Sequence, residues 1–200
     1  MTGRIIYFDG ADFAGKTTSC AMMRDRILAD TPDAAIAMIH FPIRDLASDI
    51  KMLNTDIQPN IFYLCGKFNG KNITEIQDII AENIEANSWI IKQLYVQGFN
   101  IIVDRYVFSN IIYRQLYCPE SLTLSQFYAK YPRSADVMTI TECHILTPDI
   151  SELLRRKNLR YSSNTPENGS IDELNEEDEN IKRASDLFHK YSTYCHSSRS

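Results

Sequence analysis

The chain has 200 residues, 44% of them hydrophobic and 24% charged, and a formal net charge of -5. That length suits one domain, residues 1–200, with a core of its own, and the composition is that of a soluble globular protein. The acidic balance argues against a general nucleic-acid binder, and no apolar run approaches the about 20 residues of a membrane span, so neither nucleic acid nor membrane is an expected partner.

The first strand begins at once, with no leader pattern. Cys20, Cys65, Cys118, Cys143 and Cys195 are odd in number and never in C-x-x-C spacing. That fits reduced thiols in a cytoplasmic compartment and offers no metal site. The four histidines also lack ligand spacing.

In chain order, Arg4-Ile5-Ile6-Tyr7-Phe8 reads as a buried strand. The segment from Gly10 through Gly15, Lys16 and Thr17 fits G-x-x-x-x-G-K-[ST]. In such a loop the glycines let the backbone curl so that N–H groups face a polyphosphate. Lys16 supplies positive charge to the β- and γ-phosphates, and the Thr17 hydroxyl suits Mg²⁺. The helix that follows, 17–28, adds its N-terminal dipole. Gly10, Ala14, Gly15, Lys16, Thr17 and Thr18 are therefore the candidate donor-nucleotide residues.

A second strand is predicted over 35–40, stopped by Phe41-Pro42, and a short helix over 45–53. Residues 74–97 keep helical spacing, with Thr74 as cap, Gln77 three residues on, and Gly98 at the end. The apolar stripe of that helix serves either a partner copy or the chain's own sheet. A buried strand follows over 100–104, then helices over 107–117 and 121–130. Another strand lies within 137–146. A helix opens at Thr147-Pro148-Asp149 and runs through Arg156. Residues 162–169 read as a mobile loop, 172–191 as an acidic helix, and the end after Tyr194 as a polar tail. Alternating strands and helices predict a three-layer α/β fold, a parallel sheet of about four to five strands flanked by helices.

Asp104-Arg105-Tyr106 falls at the carboxyl end of a parallel strand, the edge where open α/β sheets bind ligands. There Asp104 can hold Mg²⁺ and Arg105 can clamp an acceptor phosphate through parallel N–H bonds. Phe41-Pro42-Ile43-Arg44 meets the same edge. The basic run Arg155-Arg156-Lys157-Asn158-Leu159-Arg160 begins a candidate lid at about 155–170, which would bring guanidinium groups over a transferring phosphoryl.

These segments resemble the thymidylate kinases, P-loop nucleoside-monophosphate kinases. The likeness rests, in the family's order, on Phe8-Asp9-Gly10-Ala11-Asp12-Phe13-Ala14-Gly15-Lys16-Thr17-Thr18, on Phe41-Pro42-Ile43-Arg44, on Ala86-Asn87-Ser88-Trp89, and on Val103-Asp104-Arg105-Tyr106-Val107-Phe108-Ser109. The F-P-x-R form is closer to eukaryotic and viral members. The resemblance implies Mg²⁺-dependent transfer of the ATP γ-phosphoryl to dTMP, by a homodimer paired through helices. It implies that Lys16 and Thr17 hold donor phosphates and metal, and that Asp12 is the loop carboxylate near the acceptor sugar. Arg44 and Arg105 would hold the acceptor phosphate, Tyr113 would pack on the sugar, and Ser109 and Phe41 would line that pocket.

The chain departs from the family in places. Phe13 stands where some members carry a loop arginine, which turns that task over to Arg155, Arg156 or Arg160. Ser88 and Ile84 stand where the family presents an arginine to the base and an aromatic ring beneath it, which predicts relaxed base selectivity. Two other readings stay open on the sequence. One is a deoxynucleoside kinase; it wants a carboxylate base after the second strand, where this chain has Arg44. The other is a nucleotide-binding protein that has lost turnover.

Overall fold

The computed structural model describes residues 3–64, 68, 70–118, 121–163 and 177–197. Strand β1 (Arg4–Gly10) leads through the phosphate-type loop into α1 (Lys16–Asp30); β2 (Ile36–His40) follows. Then come α2 (Leu46–Asp49), β3 (Ile50–Leu53), α3 (Ile73–Val96), β4 (Asn100–Asp104) and α4 (Val107–Tyr117). The chain continues through α5 (Leu124–Lys130), α6 (Pro132–Thr139), β5 (Thr141–Leu146), α7 (Ile150–Ser163) and α8 (Asp178–Ser197).

The sheet has five strands in the order β3-β2-β4-β1-β5. β4 pairs in parallel with β1 and β2, and β5 pairs in parallel with β1, whereas β3 turns back antiparallel on β2. The predicted α/β architecture is realised, and the extra strand is this antiparallel edge. Residues 45–53, expected as one short helix, split after Asp49: the Asp45 side chain accepts from Ser48 N–H and caps only the four-residue α2.

Strand alternation sorts the apolar residues into two cores. Ile5, Tyr7, Ile101 and Val103 face Ile84 and Ile91 of α3 and Phe188 of α8. Ile6, Phe8, Ile36 and Ile102 face Cys20 and Ile27 of α1. The result is helix, sheet, helix. α3 spends its apolar stripe on this packing, leaving Trp89 (44% exposed) and Val96 (67%) outward.

Its cap is Asn72, two residues before the expected Thr74, in a reciprocal box with Glu75. Gly98 takes φ 90 just beyond the helix, as a C-terminal glycine should. The strand expected within 137–146 is β5, which begins at Thr141 because α6 runs from Pro132 to Thr139. α7 runs past Arg156 to Ser163, so the expected loop over 162–169 overlaps it at 162–163; from 164 on it lies outside the described residues, as do 172–176 of the expected last helix and residues 198–200.

Candidate active site

The loop between β1 and α1 depends on backbone conformations reserved for glycine. Gly10 has φ 152, and a Cβ there would sit 2.6 Å from the Leu146 carbonyl oxygen. Gly15 has φ 93 and would bring a Cβ within 3.1 Å of Arg156 Nη1. Gly15 is also the N-cap of α1 and makes no side-chain cap bond, so no cap side chain occupies the first N–H groups of α1. A cleft of about 500 Å³ opens there, lined by the loop, His40, Asp104, Arg105, Arg156 and Arg160. It lies at the carboxyl edge of the parallel strands.

Lys16 is buried, and its ammonium donates to the carbonyl oxygens of Gly10 at 2.9 Å and Ala11 at 2.7 Å. Burial, reinforced by the charge of Arg105, pulls its pKa down to about 8. Thr17 Oγ1 donates to Asp104 Oδ2 at 2.8 Å, and His40 Nδ1 is 3.3 Å from the same oxygen. The other oxygen, Asp104 Oδ1, is buried with no hydrogen-bond partner among the described residues.

That residue set fits Mg²⁺, a hard cation that takes one or two protein oxygens and completes its shell with phosphate and water. The described residues hold no group of three or more His, Cys, Asp or Glu side chains able to cage a metal unaided.

Across the cleft, Arg105 Nη2 binds Asp12 Oδ1, and the Tyr113 hydroxyl donates to Asp12 Oδ2 at 2.9 Å. Burial opposes ionisation of Asp12, but the charges of Arg105 and Lys16 outweigh it and hold the carboxyl at about 2. Arg105 itself has φ 63, a costly conformation for a side chain of its size, and one that recurs at functional sites. Its guanidinium lies 6.0 Å from the centre of the Tyr113 ring.

α7 covers the loop. Arg156 Nη1 donates to the carbonyls of Phe13 at 3.2 Å and Ala14 at 3.1 Å, and its Nε binds Glu152. Arg160, one turn on, stands 5.9 Å over the Phe13 ring. Arg155 projects elsewhere: it is exposed and bound to Glu152 at 2.6 Å, so of the three arginines of the basic run only Arg156 and Arg160 line the cleft. Ala14, Thr17 and Thr18 also line it.

Several other candidates sit apart from the cleft. Arg44 is exposed just after β2, where its main-chain N–H donates to Asp49. Phe41 is buried against Tyr106, ring centres 5.3 Å apart. Ile84 belongs to the core, and Ser88 is enclosed with it, donating to the Ile84 carbonyl at 2.7 Å and bonding the Tyr106 hydroxyl. The resemblance sets Ser88 where the family presents a side chain to the base; here that side chain is enclosed and Trp89 lies outside. Ser109 is buried with both its N–H and its hydroxyl bound to Asp9.

Two residues of the site had no role on sequence grounds. His40 reaches Asp104 only because β2 and β4 are neighbours, which its lone position could not show. Asp9 lies within the quoted loop segment, but its fully buried carboxylate gathers bonds from β1 and α4 alike.

No protein-family model matches the chain. Among solved structures, a thymidylate kinase from Candida albicans superposes with a TM-score of 0.55 at 19% sequence identity, over 94% of this chain and 77% of its own. A thymidylate kinase from Ehrlichia chaffeensis gives 0.52 at 18% identity, over 88% of this chain and 95% of its own. At these identities the likeness is one of fold. With its five-stranded, mostly parallel sheet and its loop from β1 into α1, the chain has the P-loop α/β fold of the thymidylate kinases.

Proposed function

We propose that the chain is a thymidylate kinase, transferring the γ-phosphoryl of ATP to dTMP to give dTDP and ADP. The observation that carries this reading is the meeting of Lys16, Thr17, Asp104, Arg105 and Arg156 around one cleft at the carboxyl edge of the sheet. Residues 1–200 are read as one kinase domain whose lid begins in α7.

Transfer of this kind rests on positioning and charge rather than on a covalent intermediate. Lys16 exchanges the carbonyls of Gly10 and Ala11 for phosphate oxygens, and the N–H groups at Gly15 to Thr17 donate to the phosphates of ATP. Thr17 and Asp104 would hold the metal; Mg²⁺, when bound, would neutralise charge on the transferring phosphates. Arg105 gives up Asp12 for the acceptor phosphate, its fork matching two phosphate oxygens. Asp12 and Tyr113 then face the acceptor sugar. Arg156 and Arg160 take the place of a loop arginine, since Phe13 cannot stabilise charge, Arg156 is bound to its carbonyl and Arg160 stands over its ring.

With Ile84 and Ser88 enclosed in the core, neither reads a base, and the reading includes relaxed base selectivity. The Candida albicans enzyme is itself described as having broad substrate specificity. A homodimer through the exposed face of α3 around Trp89 belongs to the same reading, and sedimentation of the full chain against a Trp89→Glu variant tests it.

A coupled ADP-release assay with ATP and Mg²⁺ tests the function itself, offering dTMP, dUMP, dCMP, dGMP and thymidine side by side. Turnover of dTMP, with one or more of the other monophosphates, is the expected result. Turnover of thymidine alone would assign a nucleoside kinase, and nucleotide binding with no turnover would leave a binding protein.

A further inference from the structure

Asp9, next to last in β1, has none of its surface exposed, and the proposed transfer makes no use of it. Its two oxygens join two different parts of the site. The Gly10 N–H, at the start of the phosphate loop, donates to Oδ1 at 2.9 Å. The Ser109 N–H, in the first turn of α4, donates to Oδ2 at 2.7 Å. The Ser109 hydroxyl adds a bond to Oδ1 at 2.5 Å, and the Tyr7 hydroxyl one to Oδ2. Tyr7 Oη in turn accepts from the Phe108 N–H at 3.2 Å.

α4 has no cap of its own, because Tyr106 makes no side-chain cap bond. Its first-turn N–H groups are therefore satisfied by β1 side chains, not by a neighbour in sequence. The chemistry of the bridge is specific. Main-chain N–H groups can only donate, and here one meets each oxygen. A carboxylate accepts at both oxygens, an amide at only one. Asn at this position must break the bridge on one side, whichever way it is turned.

The loop and the Arg105–Tyr113 wall have a second tie, from Asp12 to Arg105 and Tyr113. That tie faces the cleft, and an acceptor phosphate on Arg105 would displace it. The Asp9 tie is sealed from solvent and has no competitor.

We propose that Asp9 is a positioning residue that keeps the donor loop and the acceptor wall in register while the Asp12–Arg105 pair opens to admit an acceptor phosphate. This rests on the reading of the cleft as a nucleotide site. A displacement of the acceptor by about 1 Å relative to the donor is enough to slow an in-line transfer by roughly a hundredfold, so the register matters to rate more than to affinity.

The test is hydrogen exchange on the full chain, with ADP and Mg²⁺ as the probe. In the unmodified protein, ADP slows exchange in the loop, residues 8–18, and also in residues 105–113 of the acceptor wall. In Asp9→Asn the loop gains its protection but the wall loses about tenfold of its own, the worth of one hydrogen bond to a charged group. With dTMP as acceptor, kcat falls at least about tenfold while both KM values stay within about threefold, a split that a merely structural role would not produce.

Ser109→Ala, which removes one of the two Ser109 donors and keeps the carboxylate, serves if Asp9→Asn does not hold its fold, and it loses part of the same wall protection. Equal wall protection in variant and unmodified protein overturns the proposal, as does an unchanged kcat. An unmodified loop that gains no protection from ADP overturns the nucleotide-site reading instead, and this proposal with it.

Discussion

Replacing Asp12 with Asn probes the electrostatic centre of the cleft. The Asp12 carboxyl is held at about 2 against an ordinary 3.8, with burial working against ionisation and the charges of Arg105 and Lys16 prevailing. At about 1.4 kcal/mol per pH unit, that difference is worth about 2 kcal/mol of stability. The side chain is only 13% exposed, so solvent screening leaves most of it in place.

The sign follows from proton counting. The folded pKa lies below the unfolded one, so between the two values the unfolded chain binds more protons. The contribution is complete above about pH 4 and is lost as pH falls through about 2. An asparagine resembles the protonated carboxyl, so Asp12→Asn should cost about 2 kcal/mol near neutral pH and progressively less on acidification. Urea unfolding of both proteins, repeated down the pH scale, reads the gap directly. A gap below about 0.5 kcal/mol at neutral pH, or one that does not shrink by about pH 3, refutes the reasoning.

Further outcomes follow from the same cleft. Burial and Arg105 hold Lys16 at about 8, so the empty site loses its ammonium as pH rises through that value, and titration calorimetry should show ADP affinity falling over that range while remaining level below it. Arg105→Ala should weaken dTMP binding by roughly 10- to 150-fold, the worth of a hydrogen bond to a charged group, and leave ATP binding nearly unchanged; equal losses for both ligands would contradict its place on the acceptor side. Arg156→Ala should lower kcat by about a hundredfold, whereas Arg155→Ala, on the exposed side against Glu152, should stay within about twofold.

Much of the frame was legible because its signals are local. β1, the loop and α1 announce themselves through an apolar run, two glycines with positive φ and a lysine at fixed spacing, and β4 through Ile101-Ile102-Val103 between Gly98 and Asp104. The first errors arise where competing local signals are close in strength. Asn72 with Glu75 and Thr74 with Gln77 both offer a cap pattern, and only the reciprocal bonds decide between them. β5 is an edge strand whose six residues are all half-buried, so its alternation is blurred.

The site residues divide along the same line. Lys16, Thr17, Asp104 and Arg105 follow from position at a strand end or loop. Ser88 does not, because its direction depends on how α3 rolls against α6 and the sheet, and the α6 neighbour Ser134 also lies 3.4 Å from its hydroxyl. The joint at Asp9 is a contact between residues 100 apart in the chain, which no spacing rule can show.

The most direct measurement is product analysis after incubation of the full chain with ATP, Mg²⁺ and dTMP, separating the nucleotides by ion exchange. The account predicts dTDP and ADP in equal amounts, and neither with Lys16→Ala. No dTDP from a protein that binds ATP, or undiminished dTDP from Lys16→Ala, would contradict it.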